Sequence, residues 1–253
     1  MTIAITRETS PRFEECEITH IERTPIDLAT ARLQHREYVN ALKELGCDVI
    51  ELPAEAGLPD SVFVEDTAFI LPEVAVITRP GADSRKPETE SIIHALTPYI
   101  ELVRVREPAT VDGGDVLVLG KKIYIGLSTR SNREAIDQLN QMLGRYGYSV
   151  VGVPLTDCLH LKSAVSRVDN GTLLINSRWV DPACFEGYDL IEVDPSEPSA
   201  ANCLPVRGSI IFPTAFPKTR AKLEERGYRV IAVDVSELAK AEGAVTCCSL
   251  IIS

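Results

Sequence analysis

Leu45-Gly-Cys-Asp-Val-Ile-Glu-Leu52 joins a helix-like segment to a short strand-like run through a single glycine. Upstream, Ala31 to Leu45 places Tyr38, Val39, Leu42 and Leu45 at helical i, i+3, i+4 spacing, so the predicted helix ends at Gly46. The same junction returns as Tyr146-Gly-Tyr-Ser-Val-Val-Gly-Val153, Glu186-Gly-Tyr-Asp-Leu-Ile-Glu-Val193 and Arg226-Gly-Tyr-Arg-Val-Ile-Ala-Val233. Pro98-Tyr-Ile-Glu-Leu-Val-Arg-Val105 is a degraded copy without the glycine. The copies recur roughly every 40 to 50 residues, the spacing of a repeat architecture.

Between copies the order is also regular: two strand-like runs, then a helix. Ser61 to Leu71 and Glu73 to Thr78 precede a helix over Glu88 to Leu96. Asp115 to Leu119 and Lys122 to Gly126 precede Asn132 to Tyr146, with its stripe of Ala135, Ile136, Leu139, Met142 and Leu143. His160 to Val168 and Thr172 to Asn176 precede a turn or short helix near Asp181. Asn202 to Val206 and Ser209 to Phe212 precede a helix beginning near Pro217, a residue suited to a first turn. The C-terminal run from Thr246 to Ile252 is left to pair with the N-terminal strand Thr2 to Thr6 and close a ring, which removes exposed sheet edges. Five ββαβ units in a ring make an α/β propeller, read as one domain over residues 1–253 with loops converging on a central cavity. Arg7 to Thr30 has no clear period and reads as a loop or lid.

Composition narrows the partners. A net charge of -11 excludes an electrostatic footprint for nucleic acid or an anionic membrane and favours a cationic ligand. No apolar run approaches the roughly 18 residues of a membrane span. Seven cysteines at irregular spacings, without a CxxC pair or an apolar leader, describe a reduced, cytoplasmic protein.

Several stretches break the strand pattern. Glu65 and Asp66 sit inside apolar Ser61 to Ile70, with Asp60 just before it; buried carboxylates need a cation or donors, and a structural ion pair or bulge would serve equally. Val111-Asp-Gly-Gly-Asp-Val116 combines two acids with glycines that permit close backbone approach, though a hairpin turn reads the same way. In Leu159-His-Leu-Lys-Ser163, read as strand, His160 shares a face with Lys162, whereas His20, His35 and His94 read as structural. Arg85 and Arg130 follow second strands of their units and suit a carboxylate, or simply solvent. Gly243 to Ile252 puts Cys247 and Cys248 at the mouth of a strand, where alternation turns one thiol toward the cavity; Cys247, nearer the loop, is better placed. Small core cysteines are the alternative. Together these residues offer a nucleophile, a general acid/base with an orienting acid, a cation site and a carboxylate site.

FVED at 63–66, RPGADSR at 79–85, DGGDVL at 112–117, GLSTRSN at 126–132, LHLKS at 159–163, AANC at 200–203 and TCCS at 246–249, in this order, resemble the dimethylarginine dimethylaminohydrolase family of the pentein superfamily. The resemblance spans nearly the whole chain and implies a five-bladed α/β propeller. It also implies Cys247 as nucleophile, His160 as general acid/base and Asp112 as the acid orienting it. By motif position, Asp60, Glu65 and Asp66 would border the guanidinium of a methylarginine substrate, Arg85 and Arg130 would take its carboxylate, and the Ala241 carbonyl would hold its α-amino group. The segment 16–24 departs from the lid that the family leads one to expect. No metal or organic cofactor is implied, and a homodimer is compatible with the family.

Two rivals stand beside this reading. One keeps the chemistry but takes arginine, citrulline or another guanidino or ureido compound. The other is a non-catalytic propeller resembling ribosome anti-association factors, against which the acidic charge and the Cys247, His160 and Asp112 set argue. A zinc ion on Cys247, His160 and an acid would be inhibitory, since no close ligand-pair spacing supports a structural site.

Overall fold

In the computed structural model, which describes residues 2–253, the strands are β1 (Ile3–Arg7), β2 (Asp48–Leu52), β3 (Ala68–Ile70), β4 (Ala75–Ile77), β5 (Leu102–Arg104), β6 (Val116–Leu119), β7 (Lys122–Leu127), β8 (Ser149–Pro154), β9 (Val165–Arg167), β10 (Thr172–Ile175), β11 (Asp189–Glu192), β12 (Leu204–Val206), β13 (Ser209–Pro213), β14 (Val230–Val233) and β15 (Leu250–Ile252). The α-helices are α1 (Leu28–Glu44), α2 (Thr89–Leu96), α3 (Arg133–Leu143), α4 (Leu161–Ala164), α5 (Pro217–Glu225) and α6 (Ser236–Ala239). Five three-stranded sheets form, ordered β15-β1-β2, β3-β4-β5, β6-β7-β8, β9-β10-β11 and β12-β13-β14. Each pairs its first two strands antiparallel and its last two parallel, as in β6 against β7 and β7 against β8. A parallel pair needs a crossover. α1, α2, α3, a 3-10 turn at Pro182–Phe185 and α5 provide the five.

The repeated glycine has a physical cause. Gly46, Gly147, Gly187 and Gly227 have φ of 80°, 80°, 94° and 86°, the left-handed conformation that stops a helix and turns the chain into the next strand. The degraded copy ends α2 differently, at a right-handed Thr97 followed by Pro98.

Closure of the ring can be traced through the cores. The middle strand of each blade is buried on both faces, so successive side chains enter different cores. Ile3 and Ile5 of β1 join Ala75 and Ile77 of β4, while Ala4 joins Tyr38, Leu42 and Ile211. Val76 packs with Ile123 and Ile125 of β7, and Tyr124 with Leu173 and Ile175 of β10. Leu174 meets Ile210 and Phe212 of β13, and Ile211 returns to the core of α1. Five shared cores therefore link five blades into a closed propeller. The first strands of neighbouring blades touch, β15 with β3, β6 with β9 and β9 with β12, and so line the axis.

Several local readings differ from the structure. α1 starts at Leu28, three residues before the periodic stretch, because Asp27 caps it by accepting from the Ala29 and Thr30 amides. Ser61 to Leu71 is strand only at β3; Val64–Thr67 is a 3-10 turn, which aims its acids by turn geometry rather than alternation. His160 to Val168 is likewise α4 followed by β9, so His160 and Lys162 share no strand face. The C-terminal strand begins only at Leu250, and Cys247 and Cys248 lie in the turn before it. No helix of the described residues is long and apolar enough to cross a membrane.

Candidate active site

The loops at one end of the first strands converge on a narrow pocket of about 20 Å³. Asp60, Asp66, Arg85, Arg130, His160, Ala241 and Cys247 line it, with Glu17, Phe63, Leu159, Glu242 and Gly243. Each comes from a loop that the blade order brings to the axis. Of the residues singled out in the sequence, Asp112 and Glu65 are not on the pocket surface; each lies behind a residue that is.

Asp112 is fully buried behind His160, whose Nε2 lies 3.2 Å from its Oδ2. Its Oδ1 accepts from the Gly81 amide at 2.8 Å, and Arg130 Nη1 is 3.8 Å from Oδ2. Gly113 and Gly114 carry the Asp112 loop between its neighbours. A Cβ at Gly113 would fall 1.8 Å from the Glu65 carbonyl oxygen, and one at Gly114 2.5 Å from His160 Nδ1. The close-approach reading of this motif therefore holds, and the hairpin alternative does not, since Gly113–Asp115 is a 3-10 turn.

Asp115 is a positioning residue that motif spacing did not single out. Its Oδ1 accepts from the Leu161 amide at 3.0 Å, next to His160. Its Oδ2 accepts from Ser128 at 2.5 Å and Ser131 at 2.6 Å, which flank Arg130. One buried carboxylate thus fixes both the histidine turn and the arginine loop. The second acid of the DGGD motif was the available signal.

Glu65 accepts from Lys162 Nζ at 2.5 Å and from Thr246 Oγ1 at 2.7 Å. Its amide donates to the Cys247 carbonyl, so it sits one layer beneath the nucleophile candidate and faces a second, larger cavity. Arg85 is 4% exposed and mostly committed: Nη1 donates to Asp66, and Nε and Nη2 bond Glu88, with Nη2 also reaching the Asp60 and Phe63 carbonyls. Only one Nη1 hydrogen is left over. Arg130 is freer, donating to Thr19 Oγ1 at 2.8 Å. Asp60 accepts from the Glu17 amide, and the Ala241 carbonyl accepts no hydrogen bond from the described residues.

The electrostatics are uneven. Burial, reinforced by the charges of Glu65 and Asp66, pushes the Cys247 thiol up to about 12. Burial disfavours the charged form of His160, yet Asp66, Asp112 and Asp115 outweigh it and hold the imidazole at about 9. Burial would raise Asp66, but Arg85 and His160 dominate and lower it to about 2. The free pocket therefore holds a neutral thiol, a cationic imidazole and an ionised carboxylate. Asp66, Asp112 and His160 also bring ligand atoms within 4.8 Å of one another, close enough to compete for a divalent ion.

A family model described as N,N dimethylarginine dimethylhydrolase, eukaryotic, matches residues 8–166. The chain is 39% identical over 226 residues to an N(G),N(G)-dimethylarginine dimethylaminohydrolase of Pseudomonas aeruginosa, covering 88% of this chain and 89% of that one. It is 38% identical over 250 residues to the enzyme of that name from Streptomyces coelicolor, covering 98% and 95%. A crystal structure of a cysteine-to-serine variant of the Pseudomonas aeruginosa enzyme, complexed with citrulline, superimposes with a TM-score of 0.95 at 36% identity, covering 99% of this chain and 98% of that one. By sequence and by structure, this chain belongs to the dimethylarginine dimethylaminohydrolase family.

Proposed function

We propose that the chain hydrolyses Nω-methylated arginines to citrulline, releasing dimethylamine or methylamine, through a thiouronium intermediate on Cys247. The observation that carries this reading is the lining of one pocket by Cys247, His160 and Asp66 together with Asp60 and Arg130. A planar cation and an amino-acid head group are thereby served at once. Citrulline, the product expected here, is the ligand of the Pseudomonas aeruginosa complex.

In this mechanism Asp66 accepts hydrogen bonds from the guanidinium, and Glu65 adds negative charge from beneath. Arg130, with the spare donor of Arg85, takes the carboxylate. The Ala241 carbonyl takes the α-ammonium, and Asp60, which the resemblance set beside the guanidinium, takes the ammonium as well. The substrate cation favours ionisation of Cys247, whose proton passes to solvent and whose sulfur adds to the guanidinium carbon. His160 gives its proton to the methylated nitrogen, the C–N bond breaks and the amine departs. Neutral His160 then takes a proton from water as the water oxygen adds to the same carbon. The C–S bond breaks, leaving citrulline and the restored cysteine. Asp112 keeps the imidazole oriented through both halves. Because five shared cores close one ring, residues 1–253 act as a single catalytic domain. Seven free cysteines suit a cytoplasmic setting.

The test is parallel incubation of the purified protein with asymmetric dimethylarginine, monomethylarginine, arginine and citrulline, with amine and citrulline release measured. Methylamine release that disappears in Cys247→Ser, together with an adduct mapped to Cys247, is the expected result. Release of ammonia from arginine alone, or activity retained in Cys247→Ser, refutes the assignment.

A further inference from the structure

The segment from Glu17 to Pro25, exposed except for half-buried Ile18, begins at the pocket, which Glu17 lines, and lies between two buried residues, Cys16 and Ile26. Two of its contacts involve groups that the reaction above gives to substrate: the Glu17 amide donates to Asp60, and Thr19 Oγ1 accepts from Arg130. A bound amino acid competes for both. Its tip is held otherwise. The amides of Thr19, His20 and Ile21 all donate to the Glu242 carboxylate, at 2.8, 2.5 and 3.0 Å. Three consecutive amides converging on one carboxylate form an anion-binding concavity, filled here by the protein's own side chain.

Glu242 holds this position in a left-handed backbone conformation, φ 59°, that L side chains rarely adopt. Such an outlier persists where the surroundings require it. Its neighbours fit that requirement: Glu242 follows Ala241, whose carbonyl the reaction above gives to the α-ammonium, and both line the same pocket as Cys247.

We infer that Glu242 is a positioning residue, a latch that holds the 17–25 segment closed over bound substrate through contacts the substrate does not displace. The inference rests on the functional reading above for its kinetic consequence but not for the latch itself. If substrate binds productively only under the closed segment, apparent affinity falls with the closed fraction, and losing the latch raises KM while leaving the chemical step intact.

The experiment compares wild type with Glu242→Ala, Glu242→Gln and Glu242→Gly. In the free proteins, amide hydrogen exchange over residues 17–22 and tryptic cleavage after Arg23 should each accelerate about tenfold in Glu242→Ala. With asymmetric dimethylarginine, KM should rise about tenfold and kcat change less than about threefold. Glu242→Gln, with one accepting oxygen in place of two, should fall between. Glu242→Gly relieves the left-handed strain, so its melting temperature should stay at or above wild type while its segment loosens as in Glu242→Ala. That separates latching from general destabilisation. Unchanged exchange in Glu242→Ala overturns the latch, and faster exchange with unchanged KM overturns the positioning role. If wild type releases no methylamine, the functional reading fails while exchange and cleavage still decide the latch.

Discussion

Cys247 should be almost unreactive until a cation enters the pocket. A thiol with its ordinary value of 9.0 is about one-tenth ionised near pH 8, whereas at about 12 the fraction is about one in ten thousand. The loss is about 1000-fold, or about 4 kcal/mol. A guanidinium about 4 Å from the sulfur, at an effective dielectric constant of about 20, contributes about 4 kcal/mol of attraction to the thiolate. The substrate's own charge is therefore enough to offset the penalty that burial, Glu65 and Asp66 impose. The assay is alkylation of Cys247 followed by peptide mapping, comparing neutral chloroacetamide with its cationic isostere chloroacetamidine, each rate normalised to that with a small free thiol. The cationic reagent should win by at least about 100-fold. It should lose most of that advantage in Asp66→Asn, which removes the carboxylate that would hold it. Equal normalised rates, or a Cys247-dependent thiolate absorbance with a midpoint near neutral pH, would refute the reasoning.

Asp112→Asn should lower kcat by about 10²- to 10⁴-fold with little change in KM, measured by steady-state amine release, because His160 loses the carboxylate that orients it. Lys162→Met should destabilise the fold by about 3–5 kcal/mol in denaturant titration, since Glu65 would stay buried without its cation; adding Glu65→Gln should recover most of the loss. His35 is 2% exposed, its Nε2 has no hydrogen-bond partner among the described residues, and burial lowers it from 6.5 to about 4. Below pH 6.5 the unfolded chain gains a proton that the folded chain refuses, so stability is full above 6.5 and falls toward pH 4. The total is about 3 kcal/mol. His35→Leu should flatten that slope in melting temperature against pH, and an unchanged slope would place the acid sensitivity elsewhere. Zinc should inhibit by competing for Asp66, Asp112 and His160, with activity restored by a chelator.

The repeated helix–glycine–strand junction made the propeller legible in sequence, because a left-handed residue that ends a helix and turns the chain into a strand is a local requirement, satisfied by local residue types. The pairing of the C-terminal strand with the N-terminal one was legible for the same reason: the other elements already formed complete units. Cys247, His160, Asp60, Asp66, Arg85, Arg130 and Ala241 could be named from motifs, and the fold brings all of them to one pocket. Cys247 and His160 lie not on strands, where alternation would aim them, but in turns whose geometry depends on partners from other blades: the Glu65 amide on the Cys247 carbonyl, and Asp115 on the Leu161 amide.

What the sequence determined was the number of blades, their internal order and the chemical types that break the pattern. Tertiary structure alone decided how those residues share the work. Arg85 is largely spent on Asp66 and Glu88, Glu65 lies beneath the pocket, Asp115 ties two loops together and Glu242 grips a segment 221 to 223 positions away. Hydrogen bonds across such separations leave no period in a sequence. They exist only once ring closure has set the loops of different blades side by side.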